Sequence, residues 1–516
     1  MIAMNHDDNG KAMQNKHKNK VIVLGTGNAA LSAAMSALDH GASVTILEKA
    51  PKPEFGGNTR LTTAALRVSF TDPNQIREIL DQSYTDNEWS SIEIEPYPND
   101  KFIYEVIHKT GHGRPNPELV EWFTNQSLDI IHWLKDRGVR FELAEYLSQF
   151  DLTKQHGSQK RTYRGGVVIQ AVKGGAGMVQ PELAYAKSKG AEVHYEMPAE
   201  DLITNDKGHV VGVVARDQSG TLCKFHGTVV IGSGGFEASS ARRSQFLGSR
   251  WCDLRQRCVK FNTGEMIFAA VNAGAAMVGH YAGAHITPID PDSPFTGGLN
   301  TCERTNRLAF SWGITVNKQG HRFIDEGSHW NNQIYVDVGR ALLDQPDQIG
   351  YQVFDARGAT YREPLYAEQK QFFQGNDLKT LAEQAGIAPD AFMKTIEAFN
   401  KAAKHNTHMY DPTQLDSQST KGLDLPKTNW ALPIKEKPFS IYPVVPGVTF
   451  TFGGLASNTH CQILASNMHP IPGLFGCGEA TGDYFYYAYP TGSGLIKGAV
   501  TGREAGKQAA SYAKQV

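Results

Sequence analysis

Closely spaced glycines after an apolar run, answered later by an acidic side chain, are the residues of this chain best suited to do chemistry. Val21–Leu24 is apolar throughout, Gly25 and Gly27 follow, Ala30 takes the third small position, and Glu48 ends a second apolar run. Such an apolar run reads as a strand buried on both faces. Gly25 permits a tight turn, Gly27 lets the backbone approach a pyrophosphate, and Ala30 lets the following helix lie close on the strand. The helix start offers free N–H groups and a partial positive charge to phosphate. The Glu48 carboxylate, roughly twenty residues on, can accept a hydrogen bond from a ribose hydroxyl. This is the chemistry of holding the ADP half of a dinucleotide, with Gly25, Gly27, Asn28, Ala29, Glu48 and Lys49 as candidate contacts.

Further turns identify the dinucleotide. Gly56-Gly57-Asn58-Thr59 places more backbone amides and a hydroxyl beside a long cofactor, and Thr62 extends that group. Near the other end of the chain, Ile471–Ala480 reads as a short strand followed by Gly478 and Glu479, and Ser493-Gly494-Leu495 opens a last small-residue helix. That helix start can aim its positive end at the electron-rich edge of a reduced flavin. Ala199, Gly234 and Gly235 are candidate contacts from the middle of the chain. Together these elements suit an extended FAD. Thr59-Arg60-Leu61-Thr62 contains no histidine for covalent attachment, so the FAD is expected to be noncovalent.

The elements that position these residues follow from pattern. The reading is α/β: a Rossmann-like FAD-binding domain of the glutathione-reductase type with an inserted α+β capping domain. Residues 1–18 are expected to be a disordered tail, 19–279 and 448–516 the two parts of the FAD-binding domain, and 280–447 the cap. Helices are expected over Pro117–Arg137, Met178–Gly190, Met266–Ala273, Leu378–Ala385, Asp390–Ala403 and Ile496–Ala510. Val210–Arg216 and Thr221–Phe225 read as a hairpin, Thr228–Ile231 as a buried strand, and the chain returns to the first domain at Pro446–Leu455. At 516 residues more than one core is expected, and a net charge of −2 without a basic stripe argues against nucleic acid as a partner. The apolar runs are far too short for a transmembrane segment. The six cysteines show no metal or iron–sulfur spacing, so no metal is expected, and they fit reduced thiols in a cytoplasmic protein.

The ordered motifs GTGNAA, Glu48, GGNTR, GSGGF, NTGE, RFIDEG, TFGG and CGEATG resemble the fumarate reductase/succinate dehydrogenase flavoprotein family. GGNTRLTTAALR, SWGITVNKQGHRFIDEG and PGVTFTFGG are most similar to its FAD-dependent tricarballylate dehydrogenases. The resemblance implies a mobile cap, hydride transfer at the flavin, and dehydrogenation, or the reverse reduction, of a CH–CH bond beside a carboxylate in a tricarballylate-like acid. It also implies that His285 binds a substrate carboxylate. Trp330 stands about where the family carries a proton-delivering arginine, and Thr449-Phe450-Thr451 replaces a histidine pair. Catalytic candidates are therefore His285, Tyr489 and Arg340, with Arg304, Arg307, Arg357 and Arg362 as further cations, and Arg60 and Arg67 flanking the second turn. Tyr489-Pro490 is similar to the 3-ketosteroid dehydrogenases, so a bulky ketone is the alternative substrate. A flavin-binding electron-transfer subunit is the alternative of another class. Without haem or cluster motifs in the sequence, electrons are expected to pass to a separate acceptor: a quinone, a redox protein or dioxygen.

Overall fold

The computed structural model describes residues 19–144, 161–299, 301–412 and 414–516; the expected tail at 1–18 lies outside the described residues. Lys20–Leu24 is a central strand of a six-stranded sheet, parallel to Thr228–Ile231 on one side and to Ser43–Leu47 on the other. Pro470–Gly476 and Glu192–His194 extend the parallel part outward, and Gln462–Leu464 adds an antiparallel edge.

Alternation along the central strand sets the layers, because successive side chains point to opposite faces. Val21 and Val23 pack with Ala30, Ala33, Ala34, Ala505 and Ala509 of two helices, Asn28–Asp39 and Ser493–Ala513. Ile22 and Leu24 pack on the other face with Leu202, Val213 and Ala215. Those belong to an antiparallel three-stranded sheet, Ala199–Thr204, Val210–Arg216 and Leu222–His226, which contains the expected hairpin.

The two helices touch through glycine. Gly498, Gly502 and Gly506 recur every four residues and so share one face. A Cβ at Gly502 would lie 2.2 Å from the Ala29 carbonyl oxygen, and one at Gly506 2.1 Å from that of Ala33. Backbone meets backbone along this stripe, which brings the start of each helix to the same end of the sheet.

A second sheet is built around Phe439–Thr451, a 13-residue strand that pairs with Ala284–Ile289, Gly350–Phe354, Phe373–Gly375 and Arg255–Gln256. Ile314–Asn317 adds to its Gly350–Phe354 edge. Helices Leu378–Ala385 and Pro389–Ala403 cover it with Leu381, Phe392, Ile396 and Phe399. The strand begins at Phe439, well before the expected Pro446 start, because Pro443 and Pro446 suggest a break yet both are accommodated within the pairing. It therefore crosses the 447/448 position where the sequence suggests a boundary.

Two helices differ from expectation for local reasons. The helix expected over Pro117–Arg137 is divided into Pro117–Asn125 and Asp129–Lys135, where the buried Ser127 hydroxyl accepts the Ser69 N–H at 3.0 Å. The helix expected from Met178 begins at Gly174, because Gly175 slides under the second glycine turn and donates its N–H to the Thr62 carbonyl at 2.8 Å. A Cβ at Gly175 would sit 1.8 Å from the Thr59 carbonyl oxygen.

Gly506→Ala should overpack the helix contact and lower unfolding free energy by about 1–3 kcal/mol. Denaturant unfolding checks this, and an unchanged midpoint would exclude the backbone-to-backbone approach.

Candidate cofactor cleft and active site

One continuous cleft runs from Glu48, past the first and second glycine turns and Gly478–Glu479, to His285, Tyr335 and Tyr489. The helices Asn28–Asp39 and Ser493–Ala513 both start on this cleft, at Gly27 and Gly492, and neither start carries a side-chain cap. Uncapped N–H groups of this kind suit a diphosphate at one helix and an electron-rich carbonyl edge at the other. The turns are cross-tied: the Asn28 N–H donates to Thr59 Oγ1 at 3.1 Å, Asn28 Nδ2 to the Leu495 carbonyl at 2.8 Å, and the Gly56 N–H to Thr26 Oγ1 at 2.9 Å. Gly25 holds φ +105, and a Cβ there would lie 2.8 Å from the Gly232 carbonyl oxygen. Burial raises the pKa of Glu48, opposed by hydrogen bonds from the Thr26 hydroxyl and, at 2.6 Å, the Ala50 N–H. This donor set fits FAD.

Gly25, Gly27, Asn28, Ala29, Glu48, Lys49, Gly57, Asn58, Thr59 and Thr62 line the cleft, as do Ala199, Gly234, Gly478, Glu479, Gly494 and Leu495. Lys49 pairs with Glu265 at 2.8 Å. Three expected contacts stand one layer back. Gly56 packs toward Val179 and Arg60, Gly235 leaves space filled by Glu479 and Thr451, and the buried Ser493 hydroxyl donates to the Pro490 carbonyl.

At the far end, His285 lies on Ala284–Ile289 and stacks on Phe450 of the neighbouring strand, ring centroids 4.9 Å apart. The ladder slips by one residue between His285 and Ile286. Tyr335 reaches His285 because its helix, Asn331–Leu343, packs through Gly339, where a Cβ would lie 2.6 Å from the Ile286 carbonyl oxygen. Tyr335 and Gly339 are four residues apart and share a helix face. The Tyr335 hydroxyl lies 2.9 Å from His285 Nε2 and also shares a hydrogen bond with Tyr489. Burial, followed by the nearby Arg257 charge, holds the His285 pKa well below its ordinary value. Burial also raises Tyr489 and carries Tyr335 well above the usual tyrosine range. The pocket thus keeps a neutral imidazole and two protonated phenols.

Arg257 is the cation of this end. It is buried, donating to the Cys302 carbonyl at 3.0 Å and to Thr449 Oγ1 at 2.7 Å, with Glu303 3.8 Å away. Sequence reading missed both Arg257 and Tyr335. No local motif marks Arg257, whose position depends on the two-residue pairing of Arg255–Gln256 with Gly447–Val448. For Tyr335, the small residue Gly339 one turn later was the available signal.

The structure does not bring Arg340 into the cleft. Five residues past Tyr335 turns it about 140° round the helix, and it bonds Asp337 and the Tyr487 carbonyl instead. Arg304 pairs with Glu368, Arg307 with Asp290, Arg357 with Asp355, and Arg362 lies over the Tyr442 ring. Arg60 bonds the Pro53 and Phe55 carbonyls, and Arg67 forms a buried pair with Glu105 at 2.9 Å. Trp330 is outside the cleft lining, whereas Asn332 is within it. Among the described residues no helix is long and apolar enough to cross a membrane, and no His/Cys/Asp/Glu group could hold a metal ion.

The second glycine turn presents Asn58, Thr59 and Thr62 to the cleft, with no imidazole or thiol among them. Acid precipitation should therefore release the flavin into the supernatant; a yellow pellet would show a covalent link.

Comparison with known proteins identifies the family. The chain is 25% identical to a fumarate reductase (cytochrome) of Shewanella frigidimarina over 96% of its own length and 77% of that protein. It is 27% identical to a 4-oxocyclohexanecarboxylate 2-dehydrogenase of Sinomonas cyclohexanicum, over 95% of this chain and 93% of the relative. The open conformation of a flavocytochrome c3 fumarate reductase superposes with a TM-score of 0.71 at 22% identity, covering 99% of this chain and 82% of that one. The profile described as "FAD binding domain" (FAD_binding_2) matches residues 20–496, and the chain belongs to that family of FAD-dependent oxidoreductases.

Proposed function

We propose that this FAD-dependent oxidoreductase interconverts a CH–CH bond and a C=C bond beside a carbonyl, in a substrate anchored by a carboxylate. The observation that carries this reading is the buried Arg257 guanidinium on the same cleft wall as His285, Tyr335 and Tyr489. Bound FAD supplies the hydride acceptor or donor at one carbon. Arg257 holds a carboxylate, pre-oriented by Cys302 and Thr449. Tyr489, protonated, would hold a carbonyl oxygen as negative charge develops there. For the proton at the adjacent carbon, Tyr335 is the exchanging group. In the oxidative direction its hydroxyl would take that proton while passing its own to His285 Nε2, 2.9 Å away; in the reductive direction the same transfers would run backward, the imidazolium returning its proton to Tyr335 as Tyr335 gives one to carbon. Phe450 and Phe485 on the lining limit water at this end.

A tricarballylate-like acid, favoured by sequence resemblance, carries three carboxylates, and a single guanidinium on the lining among the described residues favours an acid with one anchored carboxylate and a ketone or ring. The relative from Sinomonas cyclohexanicum, named for a substrate carrying both groups, supports that choice. Catalytic roles are assigned to His285, Tyr335 and Tyr489, and none to Arg340. With no haem or iron–sulfur motif in the given sequence, the electrons held by bound FAD would leave to a separate acceptor. The aromatic wall of Phe450, Tyr335 and Tyr489 supports a second reading, a bulky neutral ketone of the 3-ketosteroid kind.

Anaerobic bleaching of the oxidised flavin separates these readings. A keto acid such as 4-oxocyclohexanecarboxylate should bleach it faster than tricarballylate, and a 3-ketosteroid acting alone would overturn the carboxylate anchor. Arg257→Met should weaken carboxylate substrates by 1.5–3 kcal/mol, about 10- to 150-fold, with little change for a neutral ketone. Tyr335→Phe should slow the bleaching rate at saturation by about 10²–10⁴-fold while leaving FAD bound. Single-turnover absorbance measures both.

A further inference from the structure

Beside the cleft lies a cluster of buried titratable groups that the proposed reaction does not use. Lys497 sits in the second turn of the terminal helix, lines the cleft and is 4% exposed. Its ammonium donates to the carbonyls of Gly478 and Thr481, both at 2.7 Å, and lies 4.2 Å from the Tyr484 ring centroid. Its hydrogen-bond acceptors are neutral. Its location is fixed by close contacts on both sides. A Cβ on the next residue, Gly498, would lie 3.1 Å from Asn28 Nδ2, and one on Gly478 would lie 2.6 Å from the Ala29 Cβ. Asn28 and Ala29 open the uncapped helix that faces the diphosphate.

The charged neighbours come from each element packed there. The Cys477–Ala480 turn contributes Cys477 and Glu479, and Cys461 and Tyr484 complete the surroundings. The first turn of Asn28–Asp39 contributes no acidic side chain. Glu479 is backed by Glu237. Glu237 Oε1 accepts from Asn58 Nδ2 and Asn262 Nδ2, each at 2.8 Å, and Glu479 Oε1 accepts the Thr451 N–H at 2.8 Å. Burial raises both carboxyls, Glu479 the further, so the pair keeps one proton between its members.

We propose that FAD binding is coupled to proton uptake at Lys497, whose ammonium then answers the diphosphate charge from within the terminal helix. The step is a neutral amine taking one proton from solvent, with no other bond made or broken. Without the dinucleotide, burial first of all holds Lys497 down to about 7, against the opposing pull of Glu479. A dianion beside the uncapped helix start raises it. The sign follows: binding is tightest below about 7, where the ammonium is present in both states. It weakens as the pH rises toward the higher value in the complex, by up to about tenfold in Kd per pH unit.

The test dilutes full-length holoprotein to equilibrium between about pH 6 and about pH 9 and reads released FAD by its fluorescence. The wild type should show the rising Kd, Lys497→Met a flat and weak profile, and Lys497→Arg a flat and tight one, since a guanidinium stays charged. Calorimetric FAD titration in two buffers of different ionisation enthalpy at a pH just above neutral should show net proton uptake by the wild type. A flat wild-type profile, absent uptake, or a slope that persists in Lys497→Met would overturn the proposal, the last by assigning the proton to the Glu237–Glu479 pair. If Lys497→Met does not fold, the wild-type proton count and the Lys497→Arg profile decide in the same way.

Discussion

The contact on which the cleft depends is the glycine stripe between the first and last helices. Gly502 and Gly506 remove the side chains that would hold Ser493–Ala513 away from Ala29 and Ala33. Once the helices are this close, their uncapped starts share one end of the sheet, and residues more than four hundred positions apart become neighbours. The 2.8 Å bond from Asn28 to the Leu495 carbonyl is the direct mark of that approach. Packing at native density allows little intermediate adjustment, so the geometry of the cofactor site is set by helix contact before any ligand is considered.

The other end of the cleft obeys a different economy of charge. It is aromatic and buried, and it keeps its imidazole neutral and its phenols protonated through desolvation. In such surroundings a single guanidinium has a large effect, because little solvent screens it. The same charge depresses His285, which ties the anchor of the substrate to the state of the imidazole. The cofactor end instead uses backbone N–H groups, which need no ionisation.

What the sequence revealed divides along the same line. Gly25, Gly27, Glu48 and Gly57 were legible because a turn, a close backbone approach and an acid at set spacing form a local pattern, and local patterns survive in one dimension. Gly235 and Ser493 belonged to those patterns but serve one layer behind the surface, a distinction that spacing does not carry. Tyr335 and Arg257 were hidden because their meeting depends on Gly339 seating a helix and on a two-residue strand pairing. The arginines between positions 304 and 362 were visible but already engaged: Asp290, Asp355 and Glu368 hold three of them. Sequence shows which cations exist; only packing shows which remain available.

The one-residue slip in the ladder after His285 has a consequence for how this site can diversify. The extra residue is Thr449, since His285 stands opposite Phe450 and Ile286 opposite Val448; side chains alternate with a period of two, so removing it would shift the facing of the preceding positions of that strand by one. Val448, now buried in an apolar cluster with Ile286 and Tyr335, would then fall where Thr449 presents its hydroxyl to Arg257. A single-codon deletion would in this way take a polar partner from the guanidinium and put an apolar side chain in its place, a route to new chemistry through indels rather than point substitution.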